Sequence, residues 1–238
     1  MIEIGGLEKS TLIDYPGRPA CTVFLIGCNF RCPFCYSSEL VLLEKIKKQP
    51  RISKKEFFDF LKKRKELLDG VVICGGEPTI HKDLPEFIKK IKKLGYPVKL
   101  DTNGSNPEML EDLIDKKLID YVAMDIKAPK EKYGKIVGLL DCWNDGMLRK
   151  IEKSIEILKL GKVDYEFRST IVPSIHTKED IIEIARWIKG AKKYFLQNFW
   201  AEKTINPEFE KIKPYSKNFL LEIQKEISKF FENCGIRV

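Results

Sequence analysis

The sequence predicts an α/β fold: a partial (βα)6 barrel, with a parallel sheet inside, helices outside and one open side. Three observations carry this prediction. Six short β-rich apolar segments recur along the 238 residues, amphipathic helical patterns separate them, and most of the six are apolar on both faces, as in a helix-covered parallel sheet. Right-handed crossovers let such a sheet curl, and six units fall two short of the eight that close a barrel.

In chain order the strand segments are "CTVFLIG" (21–27), "GVVICGG" (70–76), "PVKLDTNG" (97–104), "DYVAMDIK" (120–127), "DYEFRSTIV" (164–172) and "KYFLQNFW" (193–200). The helices between them carry start and stop signals. Ser53 and Glu56 form a capping box ahead of Phe57, Leu61 and Leu68. Asp83 caps and Pro85 begins a helix bearing Phe87, Ile88 and Ile91, which Gly95 closes. Asn106 and Pro107 open the next, over Leu110, Leu113 and Ile114. Leu148, Ile151, Ile155 and Leu158 make a stripe ended by Gly161, and Thr177 caps a helix through Ile181, Ile184 and Ile188 before Gly190. A last helix is expected over about 216–234. No repeat or Ser/Gly linker divides the chain, so 1–238 reads as a single domain with its core at about 20–200. The connections 128–146 and 201–215 show no clear period.

A hydrophobic content of 43% can fill a sizeable core, yet no run of about 18 apolar residues appears and the start "MIEIGGLEKS" lacks a signal-peptide pattern. The expected location is therefore the cytoplasm, without a membrane span. The formal charge of +8 resides largely in stretches such as "KKRK" (62–65) and "KKIKK" (89–93). These interleave with apolar residues at helical spacing, so they read as solvated helix faces rather than a nucleic-acid surface.

The segment "FLIGCNFRCPFCYSSEL" (24–40) places Cys28, Cys32 and Cys35 directly after the first strand, where α/β folds bind ligands. Seven cysteines, an odd number, in a reducing compartment argue against a disulfide knot. A structural zinc site needs four protein ligands. Cys21 lies at the other end of the strand, roughly 20 Å away at about 3.3 Å per residue, while Cys142 or Cys234 could fold back to supply the fourth. A four-iron cluster held by three thiolates would instead leave one iron with an open position for substrate.

Further candidates close the later strands. "GGEP" (Gly75, Gly76, Glu77, Pro78) offers two glycines that let backbone approach a ligand, and a carboxylate able to pair with an ammonium; a plain turn is its bland reading. "DTNG" presents Asp101 and Asn103, and "MDIK" presents Asp125 and Lys127. Arg168 sits inside the fifth strand segment, where an unpaired cation is costly, so an anion or an internal ion-pair network must face it. Gln197 and Trp200 could border a bound nucleoside. Cys74 reads as core filling, and His81 and His176 as surface or capping groups beside helix starts.

Three cysteines spaced C-x3-C-x2-C, with the aromatic Phe34 before the third, resemble the radical S-adenosylmethionine superfamily. The resemblance implies a 4Fe-4S cluster on Cys28, Cys32 and Cys35. Its open iron chelates S-adenosylmethionine, and reductive cleavage gives a 5′-deoxyadenosyl radical. It also assigns Gly75, Gly76, Glu77 and Pro78 to the methionine amino group, with Phe34, Tyr36, Asp101, Asn103, Asp125, Lys127 and Arg168 as further cofactor or substrate contacts. The opening "GGLEKSTLIDYPGRPACTVFLIGCNFRCPFCYSSEL", the "MDIKAP" segment and the R-x3-VP element from Arg168 to Pro173 are similar to the activating proteins of anaerobic ribonucleoside-triphosphate reductase and pyruvate formate-lyase. The implied activity is removal of a glycine α-hydrogen from a glycyl-radical enzyme, such as anaerobic ribonucleotide reductase, with reduced flavodoxin or ferredoxin as electron donor. Many relatives carry His-Asn after the third cysteine where this chain has Tyr36-Ser37, which touches the cluster's surroundings and hence the substrate. Two alternatives remain: a radical enzyme acting on a purine or pterin-like small molecule, and a non-catalytic zinc-stabilised binding protein.

Overall fold

All six expected strands lie parallel to one another within one eight-stranded sheet in the computed structural model, which describes residues 1–238. They are β2 (Ala20–Leu25), β3 (Gly70–Gly75), β4 (Val98–Thr102), β5 (Tyr121–Asp125), β6 (Asp164–Ile171) and β7 (Lys193–Asn198). Two further strands flank them: β1 (Ile4–Thr11), antiparallel to β2, and β8 (Asn233–Arg237), parallel to β7. Spatial order follows chain order from β1 to β8, and β1 does not pair with β8, so the barrel stays open along one side.

Both added strands depend on tertiary pairing. β1 contains Gly5 and Gly6 and ends in polar residues, a composition with little strand preference, and it is held by a bulged ladder to β2. β8 corrects the expected long C-terminal helix. That helix ends at Ile227, a 3-10 turn spans Ser228–Phe230, and the chain then extends along β7, with Asn233 N–H donating to the Lys192 carbonyl at 2.8 Å. Gly235 is needed there because a Cβ would lie 2.9 Å from the Phe195 ring.

The helices are α1 (Ser38–Val41), α2 (Leu43–Ile46), α3 (Lys54–Lys63), α4 (Leu84–Lys93), α5 (Pro107–Asp115), α6 (Tyr133–Ile136), α7 (Asp145–Lys159), α8 (Lys178–Trp187) and α9 (Lys217–Ile227). Most start where the sequence signals them. Thr177 and Asp180 form a full reciprocal box, Asn106 Oδ1 accepts from Met109 N–H at 3.3 Å, and Ser216 opens α9. Two caps differ from expectation. Ser53 Oγ accepts from Glu56 N–H at 3.1 Å, giving only the forward half of a box. Asp83 does not cap α4: its carboxylate accepts from Ile2 N–H at 3.0 Å and from Lys54 Nζ at 3.1 Å, tying down the N-terminus instead.

β2, β3 and most of β5 are apolar on both faces as expected, whereas β4 and β6 are two-faced. Cys21, Val23, Ile73, Leu100, Met124 and Phe167 point outward into a core shared with the helices. The intervening positions Lys99, Asp101, Asp125, Glu166 and Arg168 carry ion pairs. "KLDT" and "EFRS" therefore alternate with period two after all. Charged groups survive inside because every one is paired.

Candidate active site

The parallel strands all end on one side, and the residues there surround a cavity of about 400 Å3. Its lining contains every predicted site residue except Pro78: the three motif cysteines with Phe34 and Tyr36, Gly75 to Glu77, Asp101, Asn103, Asp125, Lys127 and Arg168. Pro78 is buried instead at the start of the 3-10 turn Pro78–Ile80. Gln197 also lines the cavity, whereas Trp200 is 65% exposed and does not.

The cysteine loop is held by backbone bonds to three other segments. Gly27 N–H donates to the Leu40 carbonyl at 2.8 Å and Arg31 N–H to the Val137 carbonyl at 2.8 Å. Ile205 and Asn206 N–H groups donate to the carbonyls of Cys35 at 3.1 Å and Pro33 at 2.9 Å. The connections 128–146 and 201–215, which lack sequence periodicity, thus clamp this loop. Arg31 Nη1 adds bonds of 2.7 Å to the carbonyls of Cys28 and Phe30.

Burial pushes the Cys28 and Cys32 thiols up to about 12 and raises Cys35, while the Lys127 ammonium pulls all three down. Bound metal would therefore displace protons from thiols held otherwise neutral. No three Cys, His, Asp or Glu side chains gather closely enough to hold a single metal ion. Cys28, Cys32 and Cys35 all line one cavity, and their three thiols are the residues that would hold an iron-sulfur cluster there. Cys74 shares the cavity, but the charges acting most on it are Asp101 and Arg168. Cys21 is fully buried within β2.

The two glycines of "GGEP" line the cavity and also have a packing use. A Cβ on Gly75 would lie 2.3 Å from Leu25 backbone, and one on Gly76 would lie 2.0 Å from the Gly27 carbonyl oxygen. They let β3 close against the start of the cysteine loop, sealed by Gly76 N–H to the Leu25 carbonyl at 2.9 Å and Glu77 N–H to the Gly27 carbonyl at 2.7 Å. Backbone must shift to admit a side chain here, so Gly76→Ala is expected to cost about 3 kcal/mol. Thermal denaturation of the apoprotein checks this, and an unchanged midpoint would contradict it.

Glu77 is 1% exposed and joins β3 to β4. Its Oε1 accepts from Thr79 N–H at 3.0 Å, Thr79 Oγ1 at 2.6 Å and Thr102 Oγ1 at 2.7 Å, while Oε2 accepts only from Asn103 N–H at 2.6 Å. Burial raises its pKa despite those donors. Spare acceptor capacity therefore lies on Oε2. Asn103 Nδ2 in turn donates to Asn29 Oδ1 of the cysteine loop at 3.0 Å.

Below this rim runs the ion network that Arg168 implied. Arg168 donates to Asp101 at 3.1 Å and to Asp125 at 3.0 Å; Lys99 pairs with Asp101, and Lys127 Nζ with Asp125 at 2.8 Å. Burial alone would raise Asp125, but Arg168 and Lys127 outweigh it and hold the carboxyl at about 2. Burial would lower Lys127, yet Asp125 drives it above its ordinary value. Lys127 and Arg168 are the two cations that line the cavity, whereas Lys99 pairs with Asp101 from outside the lining.

Sequence reasoning missed Asp14, Thr102 and Thr170 in the lining. Thr102 lay inside a motif already singled out. Asp14 reaches the cavity from the β1–β2 loop, accepting from Thr22 Oγ1 at 2.6 Å, and nothing in its local sequence distinguishes it from a turn aspartate. His176 corrects the surface reading: it is 1% exposed and packed edge-on against Phe34.

The chain belongs to the Radical SAM superfamily, which it matches over residues 22–188. A Methanocaldococcus jannaschii protein named "Putative glycyl-radical enzyme activating enzyme MJ1227" is 38% identical over 98% of this chain and 95% of its own length. The 7-carboxy-7-deazaguanine synthase of Thermococcus kodakarensis is 27% identical over 80% of this chain and 75% of its own. Among solved structures, Streptococcus suis SuiB bound to S-adenosylmethionine superposes with a TM-score of 0.63 at 17% identity, covering 88% of this chain and 48% of that one. The protein is thus a radical S-adenosylmethionine enzyme, with a 4Fe-4S cluster and S-adenosylmethionine as its cofactors. No helix is long and apolar enough to cross a membrane.

Proposed function

We propose that this enzyme activates a glycyl-radical enzyme, of the anaerobic ribonucleoside-triphosphate reductase type, by removing one glycine α-hydrogen atom. The supporting observation is the near full-length match, at 38% identity, to the relative bearing an activating-enzyme name. The open side of the barrel agrees with it, because a loop of a large partner can enter between β1 and β8.

Cys28, Cys32 and Cys35 would hold the cluster. When bound, the cluster supplies the electron that splits S-adenosylmethionine into methionine and the 5′-deoxyadenosyl group, which takes up the glycine hydrogen. The chain's residues position and shield these partners. Glu77 Oε2 and the backbone of Gly75 and Gly76 face the methionine ammonium. Lys127 and Arg168, the two cations that line the cavity, meet the methionine carboxylate, with Asp101, Asn103 and Asp125 orienting those cations and the cysteine loop. Phe34 and Tyr36 wall the cavity against water. Reduced flavodoxin or ferredoxin is the proposed electron source, in the cytoplasm.

A second reading, a radical enzyme for a purine-like small molecule, draws support from the likeness to 7-carboxy-7-deazaguanine synthase. One experiment separates the two. The protein is reconstituted anaerobically with iron and sulfide, reduced, and given cofactor with a candidate anaerobic reductase. A doublet radical signal on the reductase is expected; 5′-deoxyadenosine formed only when a small metabolite is added would overturn the activating role.

A further inference from the structure

The β5 ladder to β6 ends at Asp125, yet Lys127 two residues later is fixed by its backbone at both ends. Its N–H donates to Tyr133 Oη at 3.3 Å, and its carbonyl lies 2.8 Å from His176 Nε2. His176 belongs to the loop after β6, where Ser174 holds a φ of +71°. Val172 N–H, a donor only, points at His176 Nδ1 at 3.0 Å. Nδ1 must therefore accept, the ring proton sits on Nε2, and Nε2–H donates to Lys127. Burial lowers the pKa of this histidine, which keeps the ring neutral as the two bonds require. His176 N–H donates to the Val172 carbonyl at 2.9 Å, and its own carbonyl accepts from Tyr215 Oη at 2.8 Å. With the ring edge against Phe34, one residue joins the ends of β5 and β6, the cysteine loop and the segment before α9.

We propose that His176 is a positioning residue: its Nε2–H bond to the Lys127 carbonyl holds the Lys127 side chain at the cavity, while its Nδ1 bond only closes its own loop. The proposal rests on the reading that Lys127 faces the cofactor. A plain packing role would make the ring's volume matter and its two nitrogens equivalent. The geometry makes them separable. Asparagine places its amide at the position of Nδ1, so His176→Asn keeps the Val172 bond and frees the Lys127 carbonyl. Glutamine reaches the position of Nε2, so His176→Gln does the reverse.

In the apoprotein, hydrogen exchange at the Lys127 amide, whose bond to Tyr133 Oη opens when this segment leaves its place, is expected to speed about tenfold in His176→Asn and to stay within about threefold of wild type in His176→Gln, a loss of about 1.4 kcal/mol in the opening free energy being worth a factor of ten. In the reconstituted enzymes, with iron content equal to wild type, the Kd for S-adenosylmethionine, read from its effect on the spectrum of the reduced cluster, should rise about tenfold for Asn and little for Gln. Equal exchange in the two variants, or faster exchange in Gln, overturns the positioning role whatever the cofactor does. If exchange splits as expected while both variants bind cofactor equally, the placement of Lys127 at the cofactor is what falls. The exchange arm needs no bound group, so the two failures are distinct.

Discussion

Cys32→Ala is expected to abolish iron binding and cofactor cleavage together. Three thiolates are all the sulfur this loop offers, and Cys32 is the deepest of them, 7% exposed. Clusters of this type hold about four irons on thiolate ligands, so two remaining thiolates leave two irons without protein donors. The loop itself should persist, because its bonds to Leu40, Val137, Ile205 and Asn206 involve backbone and not this thiol. The wild type after reconstitution should carry about four irons per chain and the variant close to none, with 5′-deoxyadenosine at background. Cys21→Ala provides the contrast. Its sulfur is buried in β2 on the helix-facing side, and the variant should retain full iron. Iron retained by Cys32→Ala, or lost equally from both variants, would remove Cys32 from the cluster.

Arg168→Met should cost the apoprotein about 3–5 kcal/mol, the usual consequence of removing one partner from a buried ionic network. The side chain is 12% exposed and bridges Asp101 and Asp125, which then face each other with only Lys99 and Lys127 for compensation. Methionine preserves volume, so the loss reads charge rather than a cavity. Lysine would recover only part, since its ammonium cannot match the two-pronged contact. The pH dependence offers a second check. Asp125 is held at about 2, below its ordinary 3.8, so it contributes stability that is complete above about pH 4 and is lost as the pH falls toward 2. Denaturant melts at pH 7 and pH 3 should show a smaller difference in Arg168→Met than in the wild type. An unchanged melt at pH 7 would contradict the network's importance.

The six parallel strands and most helix starts were legible in the sequence because the signals are local: apolar runs bounded by Gly, Pro and capping residues. β1 and β8 were not. Their residues have weak strand preference, and the ladders to β2 and β7 stabilise them only after those neighbours exist. The Asp83 cap failed for a related reason, since the carboxylate found a stronger partner in the Ile2 amide, 81 residues away in the chain.

At the site, the chemistry of each motif was readable but its wiring was not. Gly75 and Gly76 were expected to admit a ligand; that they also admit a neighbouring loop was not readable. Arg168 was expected to meet an anion; which anions, Asp101 and Asp125, depended on the curl of the sheet. His176 had no sequence signal beyond its place before a capping threonine, and the fold buried it between Val172 and Lys127.

The sequence by itself determined the superfamily chemistry: three cysteines at C-x3-C-x2-C after a strand, followed by charged residues at the ends of later strands. Only the tertiary structure decided that these ends share one cavity, that the barrel is left open between β1 and β8, and which donor each buried carboxylate meets. The physical reason is range. Capping, periodicity and ligand spacing act within a few residues, whereas burying a charge requires a partner that long-range folding alone brings into reach.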